Sequence, residues 1–230
     1  MKKNNIILIV ILLLSVSIMS CSKDTKDVSK VTTYAVLTML GPSDTVIAVG
    51  STWVDPGVTV STGDPYTVTP ATLSTATAGR FELSYKAVNA DGFPSIAIRV
   101  VWIVGVTGDG TINYAKAYEG GRGTSYSNEM GDGTVYLSKT SIPGVYFCSD
   151  MFARYYEVWR GYGVAYHCPG VIRVNTDKTI DNANVNFTSP WGACFMTATT
   201  GSVSVAGKFT YKLTLGGSAV ATAFFLEPKP

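Results

Sequence analysis

The sequence predicts an all-β chain, with an Ig-like β-sandwich followed by a second antiparallel β-barrel or β-sandwich domain that carries one short helix. Three observations predict it. Several runs place apolar residues at every second position, the period of a half-buried strand. Val, Thr and Tyr, which suit pleated surfaces, are abundant, with 23 Gly among them to make turns. A single segment in the second half instead spaces its rings as a helix would. With a short leader set aside, the remaining 200 or so residues suffice for two modest domains or one large sandwich.

Residues 1–20 read as a lipoprotein signal peptide. Lys2 and Lys3 supply a basic start, Ile6 to Leu14 an apolar stretch, and Ile18-Met19-Ser20-Cys21 a processing site. The apolar run is shorter than the roughly 20 residues a spanning helix needs, and Ser15 and Ser17 interrupt it. Cys21 is therefore the expected lipidation site, where several acyl chains on one residue give stable anchoring. Residues 21–30, with Lys and Asp mixed and no apolar period, are expected to be a flexible tether. Lys23 and Asp24 resemble the export signals of Bacteroidetes surface lipoproteins.

Two of the 18 basic residues lie in the leader, which leaves 16 against 16 acidic ones. A formally neutral protein exerts no long-range pull on nucleic acid or anionic lipid, so neither is an expected partner.

The first domain is expected over 31–105. Strands are expected at Thr33–Leu40, Thr45–Val49 and Val58–Val60. Arg80 to Ala87 alternates with Phe81, Leu83 and Tyr85 on one face, Asn89-Ala90-Asp91-Gly92 supplies turn chemistry, and Ser95 to Val104 alternates again through Ile96, Ile98, Val100 and Trp102. This spacing over about 75 residues fits an immunoglobulin-like sandwich. Thr45–Gly50, Trp53-Val54-Asp55-Pro56-Gly57-Val58 and Gly79–Ala87 with Asp91-Gly92 also resemble the Ig-like repeat of bacterial surface proteins. That resemblance implies a spacer or presentation module and brings no catalytic residues.

Residues 106–230 are expected to form the second β domain. Thr200 to Leu213 reads as two alternating strands around a Gly turn, and Val220, Thr222, Phe224 and Leu226 continue the period in a last strand. Such adjacent antiparallel strands want closure. Ser149-Asp150 precedes Phe152, Tyr155, Tyr156 and Trp159, at i, i+3, i+4 and i+7, with Gly161 just beyond. The pattern predicts a short helix capped at each end with one aromatic stripe. Such a stripe is more often a packed face than a binding face. Rings with planar donors nearby are, however, how proteins hold sugars: a pyranose lies on the ring while carboxylates and guanidinium groups take its hydroxyls. Asp150, Tyr156, Trp159, Arg160 and Tyr162 are therefore candidate ligand-binding residues. Trp191 joins them because the turn Ser189-Pro190-Trp191-Gly192 leaves it free to face solvent.

Gly144-Val145-Tyr146, the Tyr155-Tyr156 pair, Arg160-Gly161-Tyr162-Gly163 and Ser189-Pro190-Trp191-Gly192 resemble a domain of unknown function from Bacteroidetes surface lipoproteins, where it lies behind an Ig-like repeat. Such proteins are similar in organisation to the lipoproteins of starch-utilisation-like glycan-import systems. The resemblance implies that context and assigns no residue a role.

Other chemistries find little in the sequence. With Cys21 lipidated, Cys148, Cys168 and Cys194 remain; an odd number closes at most one bridge, and spacing does not say which. His167, beside Cys168, is the single His and there is no C-x-x-C pair, so no metal site is expected. Glu129, Asp132, Asp150 and Glu157 form no telling carboxylate pair, there is no G-x-S-x-G elbow or phosphate loop, and Asp109-Gly110-Thr111 and Asp132-Gly133-Thr134 read as turns. The expectation is a non-catalytic protein without cofactor, lipid-anchored at the outer membrane and facing outward, that holds a polysaccharide or oligosaccharide on aromatic platforms. The alternative is an adhesin or a subunit docked on an outer-membrane transporter complex, since Tyr and Trp also dominate protein interfaces.

Overall fold

Alternation builds the first sheets as expected. A computed structural model describes residues 31–123, 130–196, 201–216 and 221–230; the leader, Cys21 and the tether lie outside the described residues. Strands β1 (Leu37–Met39) and β3 (Val58–Val60) pair antiparallel. β2 (Asp44–Ala48), β4 (Tyr66–Thr69), β5 (Gly79–Val88) and β6 (Pro94–Val104) form a second sheet in the order β2-β6-β5-β4, with β2 parallel to β6. Leu83, Tyr85, Val101 and Ile103 of the β5–β6 hairpin pack with Ile47 and Val58 into the core. Asn89 closes the hairpin: its side-chain oxygen accepts from the amides of Asp91 (3.1 Å) and Phe93 (2.8 Å), and Gly92 takes a left-handed φ of 87°. The strand expected over Thr33–Leu40 shortens to β1, and the mostly exposed β4 had no sequence expectation.

Arg99 occupies a core position of β6, opposite Leu83, and is fully buried. Its guanidinium donates to the carbonyls of Pro42, Leu40 (2.9 Å) and Gly57 (3.0 Å), and to the Tyr85 hydroxyl (3.0 Å), and lies 3.1 Å from the Asp55 carboxylate. Tyr85 donates to the same Asp55 oxygen at 2.6 Å, which also accepts the Gly57 amide. The Asp-Pro-Gly turn and the late Tyr strand are therefore two halves of one buried polar joint. A buried charge so paired is tolerated where an orphaned one is not.

The second half is a closed antiparallel barrel. Its strands are β7 (Lys116–Arg122), β8 (Met130–Lys139), β9 (Val145–Cys148), β10 (Gly170–Val174), β11 (Thr179–Asp181), β12 (Phe187–Ser189), β13 (Gly192–Met196), β14 (Gly201–Val203), β15 (Phe209–Leu215) and β16 (Ala221–Pro228). The ladder β14-β11-β10-β9-β8-β7-β16 closes through β15, which pairs β16 on one side and both β13 and β14 on the other. β12 pairs β13 beside it. Of the two closures weighed from sequence, the barrel is the one formed, and it removes the edges an open sheet would expose. Asp109-Gly110-Thr111 is a turn as expected, with the Thr111 amide donating to Asp109 at 2.9 Å. Asp132-Gly133-Thr134 instead lies inside β8.

Inward side chains fill the barrel. Tyr114, Tyr118, Tyr211, Phe209, Phe224 and Leu226 belong to one apolar cluster together with the thiols of Cys148, Cys168 and Cys194, all free. Burial raises the Cys148 and Cys168 thiols far above their usual range. A third cluster joins the sheet to the barrel: Trp102 and Val104 of β6 meet Ile142, Val145, Val171, Ala183 and Val185. The Trp102 and Phe147 rings meet edge to face at 5.4 Å.

Candidate functional site

The connection from β9 to β10, residues 149–169, is where the barrel departs from tight turns. Met151, Phe152, Ala153 and Tyr155 are driven into the barrel core. Asp150 organises the bend. It is fully buried and accepts hydrogen bonds from the amides of Phe152 (2.9 Å), Arg154 (2.9 Å) and Cys168 (3.3 Å). Burial pushes its carboxyl up to about 6, with the Phe152 and Cys168 amides, His167 and the Arg154 amide each pulling it back down. Asp150 is thus closed to solvent and engaged by backbone amides, whereas the sequence places it among the groups expected to take sugar hydroxyls.

The short helix expected after Ser149-Asp150 forms as a π-helical turn, without the side-chain cap expected at its start. Ala153 (φ 53°) and Arg154 (φ 62°) take left-handed backbone, which non-glycine residues adopt at a cost of about 1–2 kcal/mol each. A π-helical turn then runs over Tyr155–Trp159, and a 3-10 turn over Val164–Tyr166 follows the left-handed Gly161 and Gly163. Of the hydrogen bonds to Asp150, the one from the Arg154 amide takes a donor that a regular helix would give to the Asp150 carbonyl, and Phe152 is held in the core below. Arg154 is fixed by an ion pair with Glu157 at 2.5 Å. Its side chain lies across Gly133 of β8, where a Cβ would come within 2.7 Å of the Arg154 Cβ. His167 adds a contact through its Nε2, 2.6 Å from the Ser149 carbonyl.

Above this base the rings converge. Tyr156 meets Trp191 edge to face at 4.7 Å and Tyr162 in a near-parallel stack at 6.1 Å. Tyr166 closes the group, 5.0 Å from Tyr162 and 4.9 Å from Trp191. Trp159 stacks on Tyr155 at 5.0 Å, with 15° between their planes. The Arg160 guanidinium lies 5.7 Å from both the Trp159 and the Tyr162 ring, and its Nη2 donates to the Tyr162 hydroxyl at 3.4 Å. Trp159 (39 %), Tyr162 (46 %) and Trp191 (39 %) remain exposed to solvent, while Tyr156 is half-buried beneath them.

Of the residues singled out from sequence, the structure gathers Tyr156, Tyr162 and Trp191 into one cluster, and Arg160 links Trp159 to it. Phe152 and Tyr155, from the same stripe, are core. Tyr166 also belongs to the cluster, beyond the six residues the sequence points to. Its place four residues after Tyr162 in a Gly-rich segment was the available signal. Grooves among the described residues include one of about 600 Å³ bounded by Pro42, Asp44, Val46, Ser138, Thr140 and Phe147, and one of about 290 Å³ that reaches from Asp44 and Phe147 to Ser149, Val164 and His167 of this connection. What the rings offer is a partly exposed aromatic platform with a guanidinium beside two of its rings, an arrangement that can stack on flat apolar surfaces and donate hydrogen bonds at their edges.

Comparison with known proteins divides the chain in two. Residues 107–224 match the model of a family described as "-like, C-terminal domain", and residues 37–103 match the bacterial surface protein, Ig-like domain. No curated protein matches. Among solved structures, the crystal structure of a lipoprotein from Bacteroides thetaiotaomicron is similar, with a TM-score of 0.43 and 20% identity, covering 84% of this chain and 100% of that one.

Proposed function

The chain belongs to the C-terminal-domain family whose model spans residues 107–224, and we propose, from its exposed rings and its processing site, that it is a non-catalytic carbohydrate-binding accessory protein of a glycan-uptake system, lipid-anchored through Cys21 at the outer membrane. The match of residues 37–103 to a bacterial surface-protein domain supports a place at the cell surface, and the Cys21 processing site supports the anchor. One observation carries the binding: Trp159, Tyr162 and Trp191 keep large exposed faces although each is packed against further rings. Packing fixes their orientation without covering them, so little side-chain entropy remains to be lost on binding. Tyr156 supports the platform, Arg160 supplies hydrogen-bond donors to hydroxyls, and Asp150 acts indirectly by setting the turn.

A glycan-array screen of the chain from Ser22 to Pro230 tests this reading, beside a variant carrying Trp159→Ala and Trp191→Ala. Retention of one polysaccharide class by the parent is expected, with retention lost in a variant that is still folded, by circular dichroism, at the temperature of the screen. Tyr, Trp and Arg at one surface also suit a protein partner such as a transporter subunit. Silence of the folded parent across a broad array, with capture of an outer-membrane protein that the double variant loses, would move the assignment to that reading.

A further inference from the structure

We propose that the trough between the β2-β6-β5-β4 sheet and the barrel is a second glycan site, which takes a neutral oligosaccharide segment at Asp44 and Phe147. The seam between sheet and barrel is apolar where Val46, Ala48, Trp102 and Val104 pack against Val145 and Val171. Asp44 is the next residue beyond Val46 on the same face of β2, opposite Val100. A carboxylate thus stands where the alternation of β2 would put an apolar residue, and there the seam opens into the groove of about 600 Å³. The groove of about 290 Å³ shares Asp44 and Phe147 with it and ends at Val164 and His167. The two adjoin at those shared residues.

The groups at that point suit a sugar. Phe147 is half-buried on the outer face of the barrel, braced edge to face by Trp102, with Ser138 as its partner across β8 and β9. It presents an apolar ring to the flat face of a pyranose. Tyr136, two residues before Ser138 on the same outer face, adds an exposed ring. Asp44 accepts the Ser43 hydroxyl on Oδ2 at 2.8 Å, and among the described residues no donor reaches its Oδ1, which can accept from a ligand hydroxyl. Ser43, Thr45, Ser138 and Ser141 line the walls with further hydroxyls. A carboxylate where the two grooves meet disfavours an anionic chain, and walls rich in hydroxyls disfavour a lipid. A neutral polyol with one flat apolar face meets both conditions. Both walls are set in advance: the Pro42 carbonyl accepts from the buried Arg99 guanidinium, the Ser43 carbonyl from the Val100 amide at 2.8 Å, and the Val145 carbonyl from the Thr140 hydroxyl at 2.8 Å. Such anchoring limits the ordering that a ligand must impose. The inference rests on the glycan reading for its setting but on other residues for its geometry, so the two can fail separately.

The test is amide NMR of the isotope-labelled chain from Ser22 to Pro230, titrated to millimolar concentration with short neutral oligosaccharides of glucose, xylose, mannose or galactose. At least one of these should move the amides of Asp44, Thr45, Ser138 and Phe147 in a saturable way. Ser138→Arg, at an exposed position of β8, fills the groove and should abolish those shifts in a chain whose spectrum is otherwise that of the folded parent. Asp44→Ala should weaken the same binding at least about tenfold. Shifts confined to Tyr156, Trp159, Tyr162 and Trp191 would overturn the groove and leave the ring platform standing. Shifts in the groove alone would support the groove and count against the platform. No response to any of the sugars overturns the proposal, as does a groove that responds equally well in Ser138→Arg.

Discussion

Replacing Asp150 by Asn separates the ionisation of the buried carboxylate from its role as an acceptor. The carboxyl lies in the barrel core, and burial lifts it to about 6 despite the amides around it. An acid whose folded pKa exceeds its unfolded value, about 3.9, binds its proton more tightly when folded. The stability it contributes is fully present below about pH 4 and is lost as pH rises through about 6. A shift of about two pH units corresponds to about 3 kcal/mol. The Asn variant keeps the oxygen that accepts from Phe152 and Cys168 but turns an amide nitrogen towards the Arg154 N–H. That mismatch costs about 1–3 kcal/mol at every pH. The diagnostic quantity is therefore how the stability difference changes with pH. Urea unfolding followed by tryptophan fluorescence, at several values between about pH 4 and pH 7.5, should give a parent that loses about 3 kcal/mol relative to the variant across that window. A difference that stays constant to within about 1 kcal/mol would refute the argument, and would mean that the amide cradle stabilises the carboxylate as fully as water does.

Two further outcomes follow from burial. Asp55→Ala leaves the Arg99 guanidinium without its carboxylate in the core of the first domain and should cost about 3–5 kcal/mol in urea unfolding; a loss below about 1 kcal/mol would show that the carbonyls of Leu40, Pro42 and Gly57 suffice. In the chain from Ser22 to Pro230, Cys148, Cys168 and Cys194 should all resist an aromatic disulfide reagent in the native protein and react together on denaturation; rapid labelling of any one under native conditions would contradict its burial.

Much of this architecture was legible in the sequence, because strands advertise their faces. Phe81, Leu83 and Tyr85 alternate, and the face they define points inward with Leu83 and Tyr85 fully buried. Phe224 and Leu226 announced the inner face of the last strand in the same way. Alternation says less where both faces are covered: Val101 and Ile103 are as buried as Trp102, since the sandwich takes one side and the barrel the other. The candidate site is legible in the sequence as a set of rings on a short helix, but the π-helical form of that helix is not. Spacing at i, i+3 and i+4 assumes a regular turn, whereas the chain after the buried Asp150 passes through left-handed Ala153 and Arg154 into a wider coil. Nothing local to Ser149-Asp150 distinguishes a solvent-facing cap from a core anchor, since that depends on the Cys168 amide arriving from 18 residues further on.

The closure of the barrel through β15 and β16 sets an order in time. The first domain has all its strands once residue 104 has emerged, and its hairpin pairs neighbours in sequence. The barrel has no such independence: β7 finds its second partner only in β16, roughly a hundred residues later. A chain delivered from its amino end would thus pair the strands of its leading module first, with Trp102 uncovered until the barrel forms, while the trailing half stays unlocked until residues 221–228 arrive. Truncation inside that last strand would leave β7 and β15 as two sticky margins, so loss of a few terminal residues should act as a fault of assembly and aggregation far more than as a local blemish.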